Sequence, residues 1–504
     1  MRGEVRLPRP WCPQHRRRLP PYRRRTRGLR RPPLRSPGRR GRARRGGAGR
    51  AVPEGSELGF HRGSLPGPSP VPPGRGPRPG RGPVGSPSRS RAHRHRRTGG
   101  VVKAVVVGAG VAGTAAALCL AEGGAEVSVV DGARGATALS SGAWDVASVS
   151  SGSPLADLSL ADRLRTFAEA RPWHPYARVE AVVEAVSRAH CSVLNALGAY
   201  RPLDLDSPGV RIATDHGVIR RVATIEESML DLDEAPDGLV AVAHFRGHRA
   251  CDGAALARAL GEDSGAAGLS FVDIPVEFLG RKNDVQLGGH EVALLGDAAD
   301  ARLRLAAVLR RALPGTTPHA WLLPAVLGMD FDDPAALLRD AVGGPVGEVA
   351  GTTGGAQGAR LTRRLAASRA AADVTDIVAR ASAIDGASVA LSDGNCLDAD
   401  VIILATGSAL AGVIVASGGV LVEPITRTPV VLESFGTLTA PGAAFASGVT
   451  VDDGLRLLGE DGRRVGDGVF ACGAILAGVS YADGTGLGAS VTTGWLAAEA
   501  ALAG

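Results

Sequence analysis

The sequence lacks the features that mark metal clusters and membrane spans. Its six cysteines are scattered and no two form a C-x-x-C pair, so we expect no metal site: the chain should hold neither zinc nor an iron–sulfur cluster of its own. No apolar run reaches the roughly 18 residues of a transmembrane helix, and no secretory signal pattern occurs. We therefore expect a protein that is soluble or peripheral to a membrane.

Residues 1–100 lack lysine and contain only three acids, against 28 arginines. This segment carries +25, so a chain whose total is +8 leaves −17 for the other 404 residues. The segment is rich in proline and glycine and has no apolar periodicity, so it buries too little surface to offset the entropy lost on ordering. We predict a disordered tail at 1–100.

Three explanations fit this tail to different degrees. Arginine clusters bind phosphate non-specifically, but aromatic residues for base stacking are nearly absent, and we expect no nucleic-acid partner. A transit peptide fits poorly with so long and proline-rich a segment. A start codon assigned too far upstream in GC-rich DNA explains the composition most simply.

The stretch that begins at residue 101 has the order of elements that a dinucleotide site requires. The run Val101–Val107 is β-branched and almost wholly apolar, as in a strand covered on both faces. Gly108 then permits a tight turn, Gly110 lets a pyrophosphate approach the backbone, and Gly113 lets the next helix pack closely on the sheet. The N-terminus of that helix presents free N–H groups to phosphate.

An acid follows at the expected distance from these glycines. The helix stops at Gly123-Gly124, and a second strand leads to Asp131, where a carboxylate accepts hydrogen bonds from the adenosine ribose of NAD or FAD. A glycine-rich turn without a ligand is the alternative. Because the strand, the turn and the acid occur in the correct order, we predict a dinucleotide site.

Two later signatures favour flavin over NAD. A buried strand ends in Ala405, Thr406 and Gly407, whose small side chains let the chain pass close to a cofactor. A second short apolar strand ends at Gly473, beside the place expected for the ribityl chain. A helix N-terminus aimed at the flavin then favours the negative charge that develops on reduction. The glycines that open this last helix are Gly484, Gly486 and Gly488.

Two loops supply further candidates. After the second strand, Ser140, Ser141 and Gly142 are placed to contact pyrophosphate or the flavin edge, the alternative being an ordinary serine-rich loop. His174 precedes a proline and so lies in an extended or turn segment. It is a candidate general base or anion contact, and a histidine that caps a helix or faces solvent is the alternative.

Alternating strands and helices between about 201 and 330 predict an α/β insert that covers the flavin as a cap or substrate domain. We therefore predict the α/β class: a Rossmann-like two-dinucleotide-binding-domain flavoprotein with an inserted α/β domain and a disordered N-terminal tail. The predicted parts are the tail at 1–100, a first flavin-binding part at 101–200, the insert at 201–345 and the return of the flavin-binding domain at 346–504.

An ordered series of motifs over roughly 101–504 resembles the B subunit of anaerobic glycerol-3-phosphate dehydrogenase, within the fumarate-reductase-type FAD-binding group. The tail has no counterpart in that family. The motifs are Ser140-Ser141-Gly142 with Asp145 and Ser148, His174-Pro175-Tyr176, Leu322-Leu323-Pro324 through Leu327-Gly328, Ala405-Thr406-Gly407-Ser408, Glu423-Pro424-Ile425, Gly448 to Asp452, and the end from Val469.

The resemblance implies a reaction, partners and one more site residue. Glycerol 3-phosphate is oxidised to dihydroxyacetone phosphate, and electrons pass through an iron–sulfur subunit to quinone, alongside a catalytic flavoprotein subunit. An arginine falls at the loop–helix junction occupied here by Arg360, a candidate anion contact. The implied location is cytoplasmic, with peripheral attachment to the inner membrane through a partner.

Some alternatives stay open at this point. The resemblance implies FMN, whereas Asp131 and the glycine pattern suit FAD, which we favour on the residues. The chain is a catalytic subunit, a non-catalytic subunit that carries flavin, or a stand-alone FAD-dependent dehydrogenase of another hydroxy acid or a succinate-like substrate.

Overall fold

The structure, a computed structural model, describes residues 101–132, 135–235, 237–249, 251–278, 287–313, 315–330, 333–351, 355–408, 414–417, 420–431 and 446–504. The tail predicted to be disordered, residues 1–100, lies outside the described residues. Within the described ranges, no helix combines the length and the apolar character needed to cross a membrane.

The described residues form helices and strands in mixed order along the chain. The helices are α1 Val111–Glu122, α2 Leu160–Ala170, α3 Val182–Leu197, α4 Gly253–Glu262, α5 Gly289–Gly296, α6 Ala299–Ala312, α7 Ala336–Val342, α8 Ala356–Ala371 and α9 Gly486–Ala503. The strands are β1 Lys103–Val107, β2 Glu126–Val130, β3 Ala143–Trp144, β4 Val149–Ser150, β5 Val210–Ala213, β6 Ile219–Val222, β7 Thr224–Ile225, β8 Gly238–Phe245, β9 Leu269–Val276, β10 Ala320–Leu323, β11 Val346–Glu348, β12 Thr375–Ile377, β13 Ala381–Asp385, β14 Ser388–Leu391, β15 Cys396–Asp398, β16 Val401–Leu404, β17 Val415–Ser417, β18 Val420–Val422 and β19 Val469–Ala471.

The first sheet is parallel throughout and has the order β12-β2-β1-β16-β19. Its central strands are apolar runs, and Val106, Val129 and Ile403 are fully buried, as expected when helices cover both faces of a parallel sheet. Helix α1 packs against α9, and both are apolar around most of their circumference. The sheet and these helices form the largest core cluster of the described chain.

The second sheet is also parallel, in the order β11-β10-β8-β9. Strand β8 shows how its two faces are covered, because successive side chains of a strand point to opposite faces. Ala241, Ala243 and Phe245 belong to the core cluster that includes α5, α6 and α7. Val240 and Val242 belong to the cluster that includes α4. The insert therefore has its own three-layer α/β core.

Short antiparallel pairs connect the early chain to the insert. Strand β3 pairs with β7, and β4 pairs with β6, which pairs with β5. Residues 219–225 therefore pair with residues 143–150, and the second parallel sheet begins only at Gly238. Two further antiparallel groups are β13-β14-β15 and the hairpin β17-β18.

The α/β fold class is confirmed, with a Rossmann-like sheet and an inserted α/β layer. Strand β8 and the helices α4 and α6 show the alternation of strands and helices that was predicted for the insert. Before α3 begins at Val182, Pro175–Arg178 forms a separate 3-10 turn that His174 caps.

Candidate functional site

The predicted cofactor residues lie along one edge of the first sheet. Because β2, β1, β16 and β19 are adjacent and parallel, their carboxyl ends meet at the same edge. Asp131, Gly108, Thr406-Gly407 and Gly473 follow these four strands in that order. Ligands of open α/β sheets bind outside the carboxyl ends of the strands, so the structure brings together residues that are up to 365 positions apart.

The glycines of the first turn are required by close backbone contacts. Gly108 has φ +115°, and a Cβ there would lie 2.3 Å from the carbonyl oxygen of Ala405. A Cβ at Gly113 would lie 1.8 Å from the carbonyl oxygen of Gly108. At Gly110 the nearest atom to a Cβ would be Thr137 Oγ1, at 3.1 Å. The outer glycines therefore close the turn on the sheet, and Gly110 faces a more open side.

This turn leaves backbone donors for an anion. The N–H of Val111 donates to Thr137 Oγ1 at 3.2 Å, so the loop after β2 folds back over the start of α1. Within the described chain, the N–H groups of Ala109 and Gly110 have no acceptor. No acidic side chain occupies the first turn of α1. Free N–H groups and a positive helix end suit a pyrophosphate.

The serine-rich loop lies between α8 and the insert. Ser140 Oγ accepts the N–H of Gly142 at 3.3 Å, and Gly142 adopts φ +80°. The carbonyl of Gly142 accepts the N–H of Glu226 at 3.1 Å. Ser141 is half-buried beside them. The structure thus places this loop next to the insert as well as beside the α1 turn.

The return strand β16 brings a buried hydroxyl to the same edge. Thr406 Oγ1 is buried, and none of the described residues hydrogen bonds to it. Gly407 follows with φ +95°, which favours glycine. A buried hydroxyl without a partner carries a desolvation cost that a polar ligand removes. Together with the free amides of the α1 turn, this site fits a phosphate-containing cofactor.

The glycines at the start of α9 hold the segment 145–148. The N–H of Gly488 donates to the carbonyl of Asp145 at 2.7 Å, and a Cβ at Gly488 would lie 2.5 Å from that oxygen. The N–H of Ser148 donates to the carbonyl of Gly484 at 2.8 Å, and Gly484 has φ +80°. At Gly486 a Cβ would approach no described atom more closely than 3.8 Å. Gly484 and Gly488 are therefore packing glycines, and Gly486 is the more open of the three.

Gly473 lies where α1 and α9 cross the end of β19. It has φ +76°, and its N–H donates to Thr493 Oγ1 at 2.9 Å. A Cβ at Gly473 would lie 2.6 Å from the Cβ of Ala112, and one at Gly494 would lie 2.2 Å from the carbonyl oxygen of Ala112. The two helices approach each other this closely because small residues line their crossing.

His174 is fully buried and engaged at both ring nitrogens. Its Nδ1 accepts the N–H of Tyr176 at 3.1 Å, so in the neutral ring the proton lies on Nε2, which is 3.3 Å from Thr485 Oγ1. The Thr485 hydroxyl donates to Asp483 Oδ1 at 2.6 Å. Burial, with a smaller effect of Arg171, lowers the pKa of His174 to about 3. The ring is therefore neutral and caps a turn beside the start of α9, which favours the capping role.

A second buried histidine supports the same region. His190 Nδ1 accepts the indole N–H of Trp144 at 2.8 Å, and its Nε2 lies 3.2 Å from the carbonyl oxygen of Gly488. Burial lowers the pKa of His190 to about 4. This ring therefore links the loop that carries Trp144 to the first turn of α9.

Arg360 lies in a buried ion-pair cluster, which we call the α8 clamp: Glu226, Ser228, Glu348, Arg360 and Arg364. Arg360 Nε and Nη2 donate to the two oxygens of Glu226 at 2.7 and 2.8 Å, and Nη2 also pairs with Glu348. Ser228 Oγ donates to Glu348 Oε2 at 2.9 Å, and Arg364 pairs with Glu226. Two arginines thus face two carboxylates.

The electrostatics of the α8 clamp follow from its burial. Burial by itself lowers the pKa of Arg360, but Glu348 and Glu226 outweigh burial, and the pKa of Arg360 is raised. Burial raises the pKa of Glu348. Since protein carboxylates engage the guanidinium of Arg360, its predicted contact with a substrate anion stays a prediction. The clamp joins α8 to the end of β11 in the second sheet.

Sequence reasoning missed three contributors to this site. They are Thr137 over the α1 turn, Glu226 between Gly142 and Arg360, and Arg369, whose guanidinium donates to Thr114 Oγ1 at 2.7 Å. No sequence signal separates Arg369 from the other arginines of α8, since Arg360 and Arg364 are buried on this helix as well. Each partner lies more than 20 positions away along the chain, so no local pattern identifies these contacts.

Comparisons with known proteins agree with this geometry. Residues 103–446 match the family described as FAD binding domain. The chain is 27% identical over 420 residues to the B subunit of anaerobic glycerol-3-phosphate dehydrogenase from Yersinia pestis bv. Antiqua (strain Antiqua), covering 78% of this chain and 96% of that protein. It is 26% identical over 431 residues to the protein of the same name from Yersinia enterocolitica, with the same two coverages.

A likeness to a solved structure is weaker. The chain is 13% identical to 3-ketosteroid delta1-dehydrogenase from Sterolibacterium denitrificans, covering 80% of this chain and 99% of that one, with a TM-score of 0.35. A likeness at this level carries no functional inference. The family match and the Yersinia relatives are the informative comparisons.

Proposed function

Because the chain belongs to the FAD binding domain family and is an FAD-dependent oxidoreductase, we propose that it is a subunit of a glycerol-3-phosphate dehydrogenase. The proposed reaction oxidises glycerol 3-phosphate to dihydroxyacetone phosphate. Electrons then pass through an iron–sulfur partner to quinone, and a second, catalytic flavoprotein completes the complex. In this assignment the chain is held at the membrane surface through its partners.

The observation that carries the proposal is the similarity to proteins named as the B subunit of this enzyme. It extends over 96% of the length of the Yersinia pestis relative, so it includes the insert as well as the cofactor segments. The scattered cysteines of the chain, none in a C-x-x-C pair, motivate the assignment of an iron–sulfur relay to a partner.

The residues that would hold FAD are those along the edge of the first sheet. The α1 turn and Thr406 would contact phosphate, and Asp131 would accept hydrogen bonds from the adenosine ribose. When bound, FAD accepts the hydride that leaves the carbinol carbon of the substrate. The remaining predicted contacts are Ser140, Ser141, Gly142, Gly407, Gly473, Gly484, Gly486 and Gly488.

A base must also take the hydroxyl proton of the substrate. His174 and Arg360 remain our candidates for base and anion contact, respectively. In the structure both act on protein groups: His174 supports Thr485 at the start of α9, and Arg360 holds Glu226 beside Gly142. Their proposed contribution therefore includes positioning of the loops that surround the flavin.

His174 and Arg360 are both hydrogen-bonded to protein groups, and this favours a second candidate function. In that function, the chain is a subunit that carries flavin while a partner performs the oxidation. In that case this chain would relay electrons and would not bind glycerol 3-phosphate. The two functions differ in whether substrate reduces the flavin of this chain directly.

Rapid mixing of the purified FAD-loaded chain with glycerol 3-phosphate tests the proposal. Under the first function, the flavin absorbance bleaches in a single turnover, while sustained quinone reduction requires the added flavoprotein and iron–sulfur partners. Bleaching only after the partner flavoprotein is added would support the second function. Bleaching with another hydroxy acid or with succinate, but not with glycerol 3-phosphate, would show a stand-alone dehydrogenase.

A further inference from the structure

Arg369 lies near the end of α8 and reaches the back of the first glycine turn. It is 3% exposed. Its Nη1 donates to the carbonyl oxygen of Ala109 at 3.2 Å and to Thr114 Oγ1 at 2.7 Å. Ala109 stands between Gly108 and Gly110, and Thr114 lies in the first turns of α1. A side chain from the return segment therefore holds the turn that begins the cofactor site.

The other side of the guanidinium is fixed as well. Arg369 Nε and Nη2 donate to the two oxygens of Asp376 at 2.8 and 2.7 Å, a bidentate pair. Asp376 lies on β12, opposite Val129 of β2. Bidentate arginine–carboxylate pairs fix orientation as well as distance. The position of the guanidinium is thus set by the sheet and does not depend on the glycine turn.

The contact with Ala109 sets the direction of a neighbouring donor. In a planar trans peptide, the C=O of one residue and the N–H of the next point in opposite directions. A hydrogen bond from Arg369 to the carbonyl of Ala109 therefore directs the N–H of Gly110 away from α8. That N–H has no acceptor in the described chain. Glycine on both sides of Ala109 makes rotation of this peptide easy, so an external anchor is needed.

We propose that Arg369 is a positioning residue for the pyrophosphate of FAD. It acts through the peptide between Ala109 and Gly110 and does not touch the cofactor. Its positive charge also polarises that peptide, which strengthens the N–H of Gly110 as a donor. Asp376 neutralises the charge of Arg369. The site therefore binds pyrophosphate through oriented backbone N–H groups and not through a net positive charge. The inference concerns cofactor binding and does not depend on the identity of the substrate.

The test compares Arg369→Lys with Arg363→Lys in the FAD-loaded protein. Arg363 lies on the same helix, and its exposed side chain pairs with Asp330 at the surface, so it is a matched control. Lysine keeps the charge but lacks the planar fork that reaches Asp376 and Ala109 together. We expect FAD release, followed by the rise in flavin fluorescence, to be at least about tenfold faster in Arg369→Lys and unchanged in the control.

A second readout separates positioning from general destabilisation. Amide hydrogen exchange of the segment 106–118 is measured with and without FAD. In the wild type and Arg363→Lys, FAD should slow exchange in this segment, and in Arg369→Lys that protection should be lost while exchange in the strands of the insert stays the same. FAD release within twofold of the wild type, or retained protection of this segment, would overturn the proposal.

Thr114→Val provides the same test if Arg369→Lys does not fold. The substitution keeps the shape of the side chain and removes the hydroxyl that accepts from Nη1 and donates to the carbonyl oxygen of Ala109 at 3.5 Å, so Arg369 and the Ala109 carbonyl are both held less firmly. We expect FAD release to be about threefold faster, because the Arg369 guanidinium keeps its contacts with Asp376 and Ala109 and the turn is only weakened. An unchanged release rate in this variant would also overturn the proposal.

Discussion

The two parallel sheets of this protein share an architecture but differ at their carboxyl edges. In the first sheet, β1, β16 and β19 end in glycines with positive φ, and α1 starts directly after the turn. In the second sheet, β11 ends in Glu348, which pairs with Arg360 of the α8 clamp. Among the described residues, the first edge leaves the N–H groups of Ala109 and Gly110 and the Thr406 hydroxyl without a protein partner. At the end of β11 in the second sheet, the carboxylate is neutralised by an arginine of the protein.

This difference shows that a parallel sheet alone does not make a cofactor site. Helices must cover both faces in either case, so the strands of both sheets are apolar. What distinguishes the first sheet is close backbone packing at its edge, where glycine is required and a helix N-terminus stays open. Substitutions at the two edges should therefore differ in their effect on FAD binding.

The largest effect is expected for Gly113→Ala in the first sheet. Its Cβ would lie 1.8 Å from the carbonyl oxygen of Gly108, so the turn or α1 must move. We expect a loss of about 4 kcal/mol or more in the free energy of unfolding and no retained FAD. In the insert, Gly261→Ala in α4 is the control, since a Cβ there meets no described atom within 4 Å. Replacing that glycine should leave FAD bound and stabilise the protein by about 0.5 kcal/mol.

Arg360→Ala tests the neutralised edge of the second sheet. It leaves Glu226 and Glu348 buried with too few partners, which costs about 3–5 kcal/mol, measured by chemical denaturation. Arg363→Ala on the exposed face of α8 should change stability by less than about 1 kcal/mol. If Arg360 also binds a substrate anion, the variant should raise KM more than it lowers kcat in the assembled complex. A stable Arg360→Ala protein would show that the α8 clamp is not needed for folding.

Asp131→Ala tests the predicted ribose contact at the first edge. An adenosine ribose would lose charge-assisted hydrogen bonds, and FAD binding should weaken by ~1.5–3 kcal/mol. Glu277, which directly follows β9 in the second sheet, is the matched acid, and Glu277→Ala should leave FAD affinity unchanged. Binding is followed by flavin fluorescence. Equal affinity of Asp131→Ala and wild type would show that Asp131 does not contact the adenosine ribose.

The most gradual effect is a pH dependence centred on the start of α9. Burial lowers the pKa of His174 to about 3 and that of His190 to about 4, below the ordinary value of 6.5. The unfolded chain therefore takes up a proton at each histidine below pH 6.5, and stability decreases as the pH falls from 6.5 to 5. Each should contribute a slope of about 1.4 kcal/mol per pH unit.

Urea denaturation at several pH values measures this slope. Above pH 7 both histidines are neutral in the folded and unfolded states, so that part of the curve serves as the reference. His174→Gln and His190→Gln should each lower the overall stability but reduce the slope between pH 6.5 and 5 by about one proton. An unchanged slope in both variants would mean that other groups control the acid sensitivity.

Local sequence signals were sufficient to predict the fold class, the cofactor and the family resemblance of this protein. Apolar runs, the spacing of Gly108, Gly110 and Gly113, and the position of Asp131 predicted the α/β fold and FAD, and the FAD binding domain match confirms both. The ordered motifs predicted a resemblance to the B subunit of glycerol-3-phosphate dehydrogenase, which the Yersinia relatives confirm. These features are readable because strand burial, tight turns and helix starts depend on residues within one short stretch.

Only the tertiary structure decided the surroundings of the candidate polar residues. Nothing near His174 in the sequence shows that Thr485 lies against its ring, and nothing near Arg360 reveals Glu226 and Glu348. Arg369 likewise reaches Ala109 across 260 positions of the chain. A charge or a hydrogen-bonding group takes its role from the partner that neutralises or accepts it, and here those partners come from distant segments that meet only when the sheets are assembled.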